Sequence, residues 1–218
     1  MPRFTPITVS ALIDSVTDLI LATPTRLVVA IDGADGAEPI SLAHAVADNV
    51  RAHGRGCDVV SLHDYVKPAS LRLEFGRNDE ISYRTIWFDY GALAREVVDA
   101  LHDDGRWLPA LWDEKADRSA RTRVRDAAPG DVVIVTGPML LGRNLAFDTT
   151  IRLHLSEAAL LRATHTDQLW TVPALLRHEQ ITTEAPDVDV RWDHPDRPAV
   201  GITSRAGPVG DRQADPRR

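Results

Sequence analysis

The chain has 218 residues, of which 44% are hydrophobic and 26% are charged, and this composition excludes a wholly disordered protein. The formal net charge of −7 disfavours nucleic acid and anionic membranes as partners, and no apolar run reaches the roughly 18 residues of a membrane span. The single cysteine, Cys57, excludes a disulfide framework and a cysteine-rich zinc site. We therefore expect a cytoplasmic protein that binds neither nucleic acid nor membranes.

The first part of the chain alternates helical and extended patterns. Apolar residues at helical spacing predict an amphipathic helix over residues 9–22, and a continuous apolar run predicts a buried strand over 26–32. A second helix is expected over 41–53 and a second buried strand over 58–61. Residues 62–87 are polar and weakly periodic, which predicts a long irregular loop, and loops of that length usually carry function.

The same alternation continues to about residue 203. Asp89 fits the N-cap of a helix that Gly105 ends, and residues 106–130 are again irregular. Strands alternating with helices predict a mainly parallel sheet covered on both faces, in one α/β domain over 1–203. Residues 204–218 contain almost no apolar side chain and are predicted to be a disordered tail. The remaining predicted elements are strands over 131–136 and 149–155, helices over 157–162 and 170–179, and a polar–apolar edge strand over 188–192.

The segment after the first buried strand has the register of a phosphate-binding loop, G-x-x-x-x-G-K-[ST], without its chemistry. Glu38 stands at the second glycine, Pro39 at the lysine and Ile40 at the hydroxyl. A carboxylate about 4 Å from a phosphate charge costs on the order of 4 kcal/mol at an effective dielectric of about 20. The same residues also fit an ordinary helix start, where proline and acidic groups are favoured. The phosphate-loop positions are Gly33, Ala34, Asp35, Gly36, Ala37, Glu38, Pro39, Ile40 and Ser41.

Six short segments occur in an order that is typical of one protein family. The segments are 27–33, 60–65, 75–89, 109–118, 132–137 and 193–198. With them the chain resembles, over residues 26–202, the uridine kinase-like branch of the P-loop kinases. The resemblance implies a three-layer P-loop kinase-like fold with a mainly parallel five-stranded sheet, a nucleoside pocket and a mobile lid. Active members of that family transfer the γ-phosphoryl group of ATP or GTP to uridine or cytidine, with magnesium.

The chain departs from this family where the chemistry takes place. The resemblance assigns the general base to an aspartate whose position is occupied by His63, while Asp64 keeps the second acidic position. Thr136 replaces a glutamate, and the arginine-rich lid is shortened after Arg162. Phosphoryl transfer depends on positioning and charge neutralisation, so the loss of these groups together disfavours ordinary kinase turnover.

Two sets of side chains remain candidates for a site. His63 and Asp64 are the candidate catalytic pair, in which the histidine takes a proton from a hydroxyl; the alternative is a solvated strand end. For the second set, guanidinium groups suit an anionic substrate and aromatic rings suit a base, but solvated arginines and core-edge aromatics are alternatives. No metal site is expected, because the histidines form no metal-binding motif. The candidate substrate-binding residues are Arg77, Tyr83, Trp112 and Arg118.

Three functions are compatible with these features. The favoured one is a small-molecule-binding or regulatory pseudokinase with a nucleoside-like ligand and little or no phosphoryl transfer. It requires no cofactor. The first alternative is an active ATP-dependent kinase of uridine, another nucleoside or a small alcohol, which would use ATP and Mg²⁺ through a non-standard loop. The second alternative is a structural partner subunit, and the sequence leaves the oligomeric state and the partner open.

Overall fold

The computed structural model describes residues 4–202, in which strands and helices alternate as predicted. The elements up to residue 85 are β1 (Thr5–Pro6), α1 (Val9–Leu21), β2 (Leu27–Gly33), α2 (Pro39–Ala52), β3 (Cys57–Ser61), α3 (Ala69–Arg72) and α4 (Glu80–Thr85). One continuous helix follows, made of α5 (Tyr90–Leu93), a π-helical segment (Ala94–Val98) and α6 (Asp99–Asp103). Four two-residue strands come next, β4 (Arg106–Trp107), β5 (Trp112–Asp113), β6 (Arg118–Ser119) and β7 (Arg125–Asp126). The last elements are β8 (Val132–Gly137), β9 (Thr149–His154), α7 (Glu157–Ala163), α8 (Val172–Ile181), β10 (Val188–Arg191) and β11 (Ala199–Ile202).

The central sheet has seven strands in the order β1-β11-β10-β9-β2-β8-β3. The five strands from β10 to β3 are parallel, which confirms the mainly parallel sheet; β11 and β1 extend it with antiparallel pairing. The prediction of an edge strand over 188–192 is wrong, because β10 lies between β9 and β11. Its alternating pattern has another cause. Asp189 faces Arg152 of β9 and forms a partly buried ion pair with it.

Helices cover both faces of the sheet, which gives the predicted three layers. Helix α1 begins after Thr8, whose side chain accepts a hydrogen bond from the amide of Ala11, and it packs with α2 on one face. The helix from Tyr90 to Asp103 packs on the other face and starts at the predicted N-cap, Asp89. Strand β2 is buried along its whole length, as expected for the centre of such a sheet. No helix within residues 4–202 is long and apolar enough to cross a membrane.

The segment 62–87 is more ordered than its sequence predicts. It contains a 3₁₀ turn (Leu62–Tyr65) and the helices α3 and α4. These helices have four and six residues, which is too short for a hydrophobic period to be visible in the sequence. Residues 106–130 likewise contain two small antiparallel pairs, β4–β7 and β5–β6. The predicted tail, 204–218, lies outside the described residues.

Candidate ligand-binding site at the carboxyl edge of the sheet

The carboxyl ends of β2, β8 and β3 meet at one edge of the sheet. Because these strands are parallel neighbours, this edge brings together the loop 33–41, Thr136 and the 3₁₀ turn that carries His63. Ligands of open parallel sheets bind at such an edge. The fold therefore places the phosphate-loop positions and the candidate catalytic pair at a single site.

The loop after β2 lies at the phosphate-loop positions and joins the strand directly to α2. A 3₁₀ turn covers Asp35–Ala37, and α2 begins at Pro39. Between them Glu38 has φ 51° and ψ 48°, in the left-handed region that favours glycine. The carboxylate of Glu38 is exposed, and residues 33–41 contain no lysine or arginine. An incoming triphosphate would meet two carboxylates here and no cation from the loop.

The end of α7 lies directly on this loop. A Cβ atom added at Gly36 would be 2.9 Å from the carbonyl carbon and oxygen of Ala163. Glycine is therefore needed for close packing, because a real Cβ almost never comes so near to backbone atoms. A cavity of about 170 Å³ lies beside this contact. Its lining includes Tyr83 and residues 163–165, which follow Arg162 at the end of α7.

His63 joins the loop to the β5–β6 hairpin. Its Nε2 lies 3.1 Å from Oδ1 of Asp35, and its Nδ1 lies 3.0 Å from Oε2 of Glu114. Burial alone would lower the pKa of His63, but hydrogen bonds and charge from the two carboxylates outweigh it and raise the pKa to about 10. The ring is therefore an imidazolium at neutral pH. Both of its nitrogens donate, so it has no lone pair with which to accept a proton.

Arg72 holds the other side of this network and was not among the residues predicted for the site. Its guanidinium is buried, with Nη1 2.9 Å from Oε1 of Glu114 and the group 5.1 Å from the centre of the Trp87 ring. Burial would raise the pKa of Glu114, but the hydrogen bond from His63 and the charges of His63 and Arg72 lower it. Glu114 is thus held ionised between two cations. No sequence pattern signals this arrangement, because the partners of Glu114 are 42 and 51 residues away in the chain.

An open groove lies next to His63. It has a volume of about 400 Å³, and the predicted residues Asp64 and Trp112 line it together with His63 and Glu114. Burial raises the pKa of Asp64. The indole Nε1 of Trp112 donates a hydrogen bond to Oδ1 of Asp117. The ring of Trp112 is half-buried and lines the groove. The structure therefore brings Trp112 to the candidate catalytic pair.

The other predicted substrate residues lie elsewhere. Tyr83 is only 4% exposed, and its ring packs edge-on against Trp87 and Trp170 in an aromatic cluster, with ring centres 5.3–5.5 Å apart. Arg77 and Arg118 are exposed and are not among the side chains that line the groove. The geometry thus gives Tyr83 mainly a packing role at the edge of the core, and it leaves both arginines in solvent.

The fold is that of P-loop kinases. No protein-family model and no curated protein sequence matches the chain, but solved structures do. A "possible uridine kinase" from Bacillus stearothermophilus superposes with a TM-score of 0.62 at 18% identity, covering 80% of this chain and 96% of that one.

Two further structures belong to kinases with other named substrates. A "putative fructose transport system kinase" from a Silicibacter species gives a TM-score of 0.66 at 23% identity, covering 84% of this chain and 98% of that one. A D-glycerate 3-kinase from Cryptococcus neoformans gives 0.52 at 16% identity, covering 80% and 81%. Identities this low establish the fold alone. The chain therefore has the uridine kinase-like P-loop fold that its motifs predict.

Proposed function

We propose that this chain is a cytoplasmic pseudokinase that binds a nucleoside-like small molecule in the His63 groove and does not transfer phosphate from ATP. One observation carries the proposal. The ion pair between His63 and Asp35, 3.1 Å long, directly joins the general-base position to the phosphate loop. In an active kinase the transferred phosphoryl group and the acceptor hydroxyl lie between these two elements.

The length of this ion pair leaves no room for reactants. A nucleophile and the atom that it attacks need to approach to about 3–3.5 Å, with a catalytic group within hydrogen-bond reach beyond them. The loop and the base must then be separated by at least two such contacts. Phosphoryl transfer would require the Asp35–His63 pair to break and His63 to lose its proton, in a site whose loop supplies no cation.

Turnover tests this proposal directly. Wild-type protein is incubated with magnesium, ATP and each of uridine, fructose and glycerate, and phosphorylated product is measured by mass spectrometry. We expect no product above the level of a no-protein control. A contaminating kinase would give product that persists in the Asp64→Ala variant. Product that requires the wild-type residue would refute the pseudokinase.

Ligand binding tests the other half of the proposal. A ligand that binds only the folded state at 100 times its Kd stabilises it by about 2.7 kcal/mol, so a thermal-shift panel of nucleosides will reveal it. We expect one class of nucleoside to stabilise the wild type without magnesium. Trp112→Ala should remove the shift, whereas a change at the solvent-exposed Arg77 should keep it. A structural partner subunit would show no ligand shift and a stable complex in pull-downs.

The second candidate function is an active kinase of a small alcohol. The similarity to kinases named for fructose and glycerate favours it. This function requires substrate to open the Asp35–His63 pair, and backbone amides of the loop to hold the phosphates. It predicts alcohol-dependent ADP release that both His63→Ala and Asp64→Ala abolish.

A further inference from the structure

A further, smaller cavity lies at the carboxyl edge of the sheet, under α8, and Gly33 and Ala34 at the start of the phosphate-loop positions are among its lining residues. Its volume is about 70 Å³, and it shares no lining residue with the His63 groove. The end of β2 contributes Asp32, and the end of β9 contributes His154. Its walls are mainly aliphatic. They include Leu141, Leu153, Leu155, Leu160, Leu175 and Leu176.

Asp32 is the buried acid of this cavity. It is 8% exposed, and its two oxygens accept hydrogen bonds from the amides of Leu140 (3.3 Å) and Leu141 (3.1 Å). The backbone of Met139 also interacts with this carboxylate, but a carboxylate has about four acceptor positions, so acceptor capacity remains. Burial raises the pKa of Asp32 to about 6, although the amides and the charge of Arg152 oppose the shift. The group is therefore mostly ionised at pH 7.5.

The neighbouring cations are already neutralised by other acids. Arg152 makes two parallel hydrogen bonds to Asp189, of 3.0 and 2.9 Å. His154 lies 2.6 Å from Glu179, whose hydrogen bond raises the pKa of the histidine. Within residues 4–202, Asp32 has no such ion-pair partner. The carboxylate of Asp32 therefore has no directly paired cation at the cavity, although the charge of Arg152 acts on it.

His178 does not supply that cation. Its Nε2 lies 2.8 Å from the carbonyl oxygen of Leu141, to which it donates, and burial lowers its pKa. The ring is neutral at pH 7.5. A bound metal does not fit either, because no group of three or more His, Cys, Asp or Glu side chains suited to a metal ion occurs in the described part of the chain.

We propose that this cavity binds a small primary ammonium compound with a short aliphatic body. The ammonium group would donate to a remaining acceptor position of Asp32, and the alkyl chain would contact the leucine walls. A cavity of 150 Å³ holds the six carbons of benzene, so about 70 Å³ accommodates about three non-hydrogen atoms. Methylammonium and ethylammonium match both the size and the chemistry.

The test compares three molecules of similar shape. Ethylamine, ethanol and acetate are titrated at pH 7.5, with binding followed by NMR chemical shifts of the methyl groups of the wall leucines. We expect saturable shifts with the amine, at least tenfold weaker binding of the alcohol, and none of acetate. Equal binding of acetate, or no saturable shift with either methylamine or ethylamine, would overturn the proposal.

Variants locate the bound amine. Asp32→Asn should weaken amine binding at least tenfold, and Leu176→Phe should weaken it by filling the cavity even if the first variant folds poorly. Glu184→Gln is the matched control, since Glu184 also accepts a backbone N–H bond, from Gly142 at 2.7 Å, but lies outside the cavity lining. Amine affinity that is unchanged in Asp32→Asn or in Leu176→Phe would contradict the assignment. Trp112→Ala should leave it intact, which separates this site from the groove.

The pH profile provides a second readout. Protonation of Asp32 removes the counter-charge, so amine affinity should fall about tenfold from pH 7.5 to pH 5. The other titratable and charged groups around Asp32 are Arg152, Tyr90 and the cavity-lining His154, Glu179 and His178; Asp189 is paired with Arg152. Protonation of His178 would act in the same direction, so His178→Gln is measured in parallel. A profile that becomes flat in His178→Gln would assign the effect to the histidine and refute the role of Asp32.

Discussion

Removing the His63 imidazolium should change how the stability of the protein depends on pH. His63 has a pKa of about 10 in the folded chain, against 6.5 for an ordinary histidine. Between these values the folded state binds a proton that the unfolded state has released, so the free energy of unfolding decreases as pH rises. The stabilisation is complete below pH 6.5 and is lost as pH approaches 10. In His63→Gln this contribution is absent at every pH.

The magnitude follows from the burial of the pair. In a dry interior a shift of this size would correspond to several kcal/mol, but the His63 side chain is 36% exposed and its partner Asp35 is 58% exposed. Water screens such a pair, so we expect about 1–2 kcal/mol. Urea unfolding of both proteins at pH 6.0 and pH 9.0 measures it. The wild type should lose about 1–2 kcal/mol more than His63→Gln over this interval.

Comparing the wild type with His63→Gln cancels the contributions that other titrating groups make to the free energy of unfolding. Cys57 and His154 titrate in both proteins and cancel in the difference. His165→Gln is the control, because His165 is 82% exposed and pairs with an exposed Asp167. It should follow the wild-type profile. If the wild type and His63→Gln lose the same stability between the two pH values, the imidazolium bridge is not formed in solution.

The remaining predictions concern packing. Gly36→Ala should destabilise the fold by about 1–3 kcal/mol, because the new Cβ meets the backbone of Ala163; Gly91→Ala, in an exposed helical position with its nearest neighbour 3.6 Å away, should instead stabilise it by about 0.5–1 kcal/mol. Thermal unfolding measures the stability change of both variants. Equal changes for Gly36→Ala and Gly91→Ala would argue against the α7–loop contact. Burial raises the pKa of Cys57 to about 12, so a thiol reagent at pH 8 should react with it on the order of a hundredfold more slowly in the native protein than in urea. Rapid native labelling would show that β3 is accessible.

The sequence predicts the parallel core well for a physical reason. Strands β2 and β8 are buried on both faces, and such strands appear as continuous apolar runs that are easy to identify. The predictions for residues 62–87 and for β10 failed because the structure of these segments depends on features that no continuous apolar run reveals. The first depends on very short helices, and the second depends on an Arg152–Asp189 pair whose members are 37 residues apart.

The site was predicted only in part. The strand order of the sheet brings His63, Asp64 and the loop 33–41 to one edge. The spacing of the sequence motifs was sufficient to identify these residues as site candidates. The partners that decide the chemistry come from distant segments. Glu114 and Arg72 reach His63 only after the β5–β6 hairpin folds back, and no periodicity encodes that contact. The Asp32 cavity likewise depends on the packing of α8.

The central claim is that the phosphate-loop position receives no triphosphate. Calorimetric titration of the wild-type protein with magnesium and a non-hydrolysable ATP analogue tests it most directly. The direct Asp35–His63 pair and the acidic loop predict no saturable heat up to about 1 mM nucleotide, which corresponds to binding weaker than about −4 kcal/mol. Saturable binding with a micromolar Kd, near −8 kcal/mol, would contradict the claim and favour an active kinase.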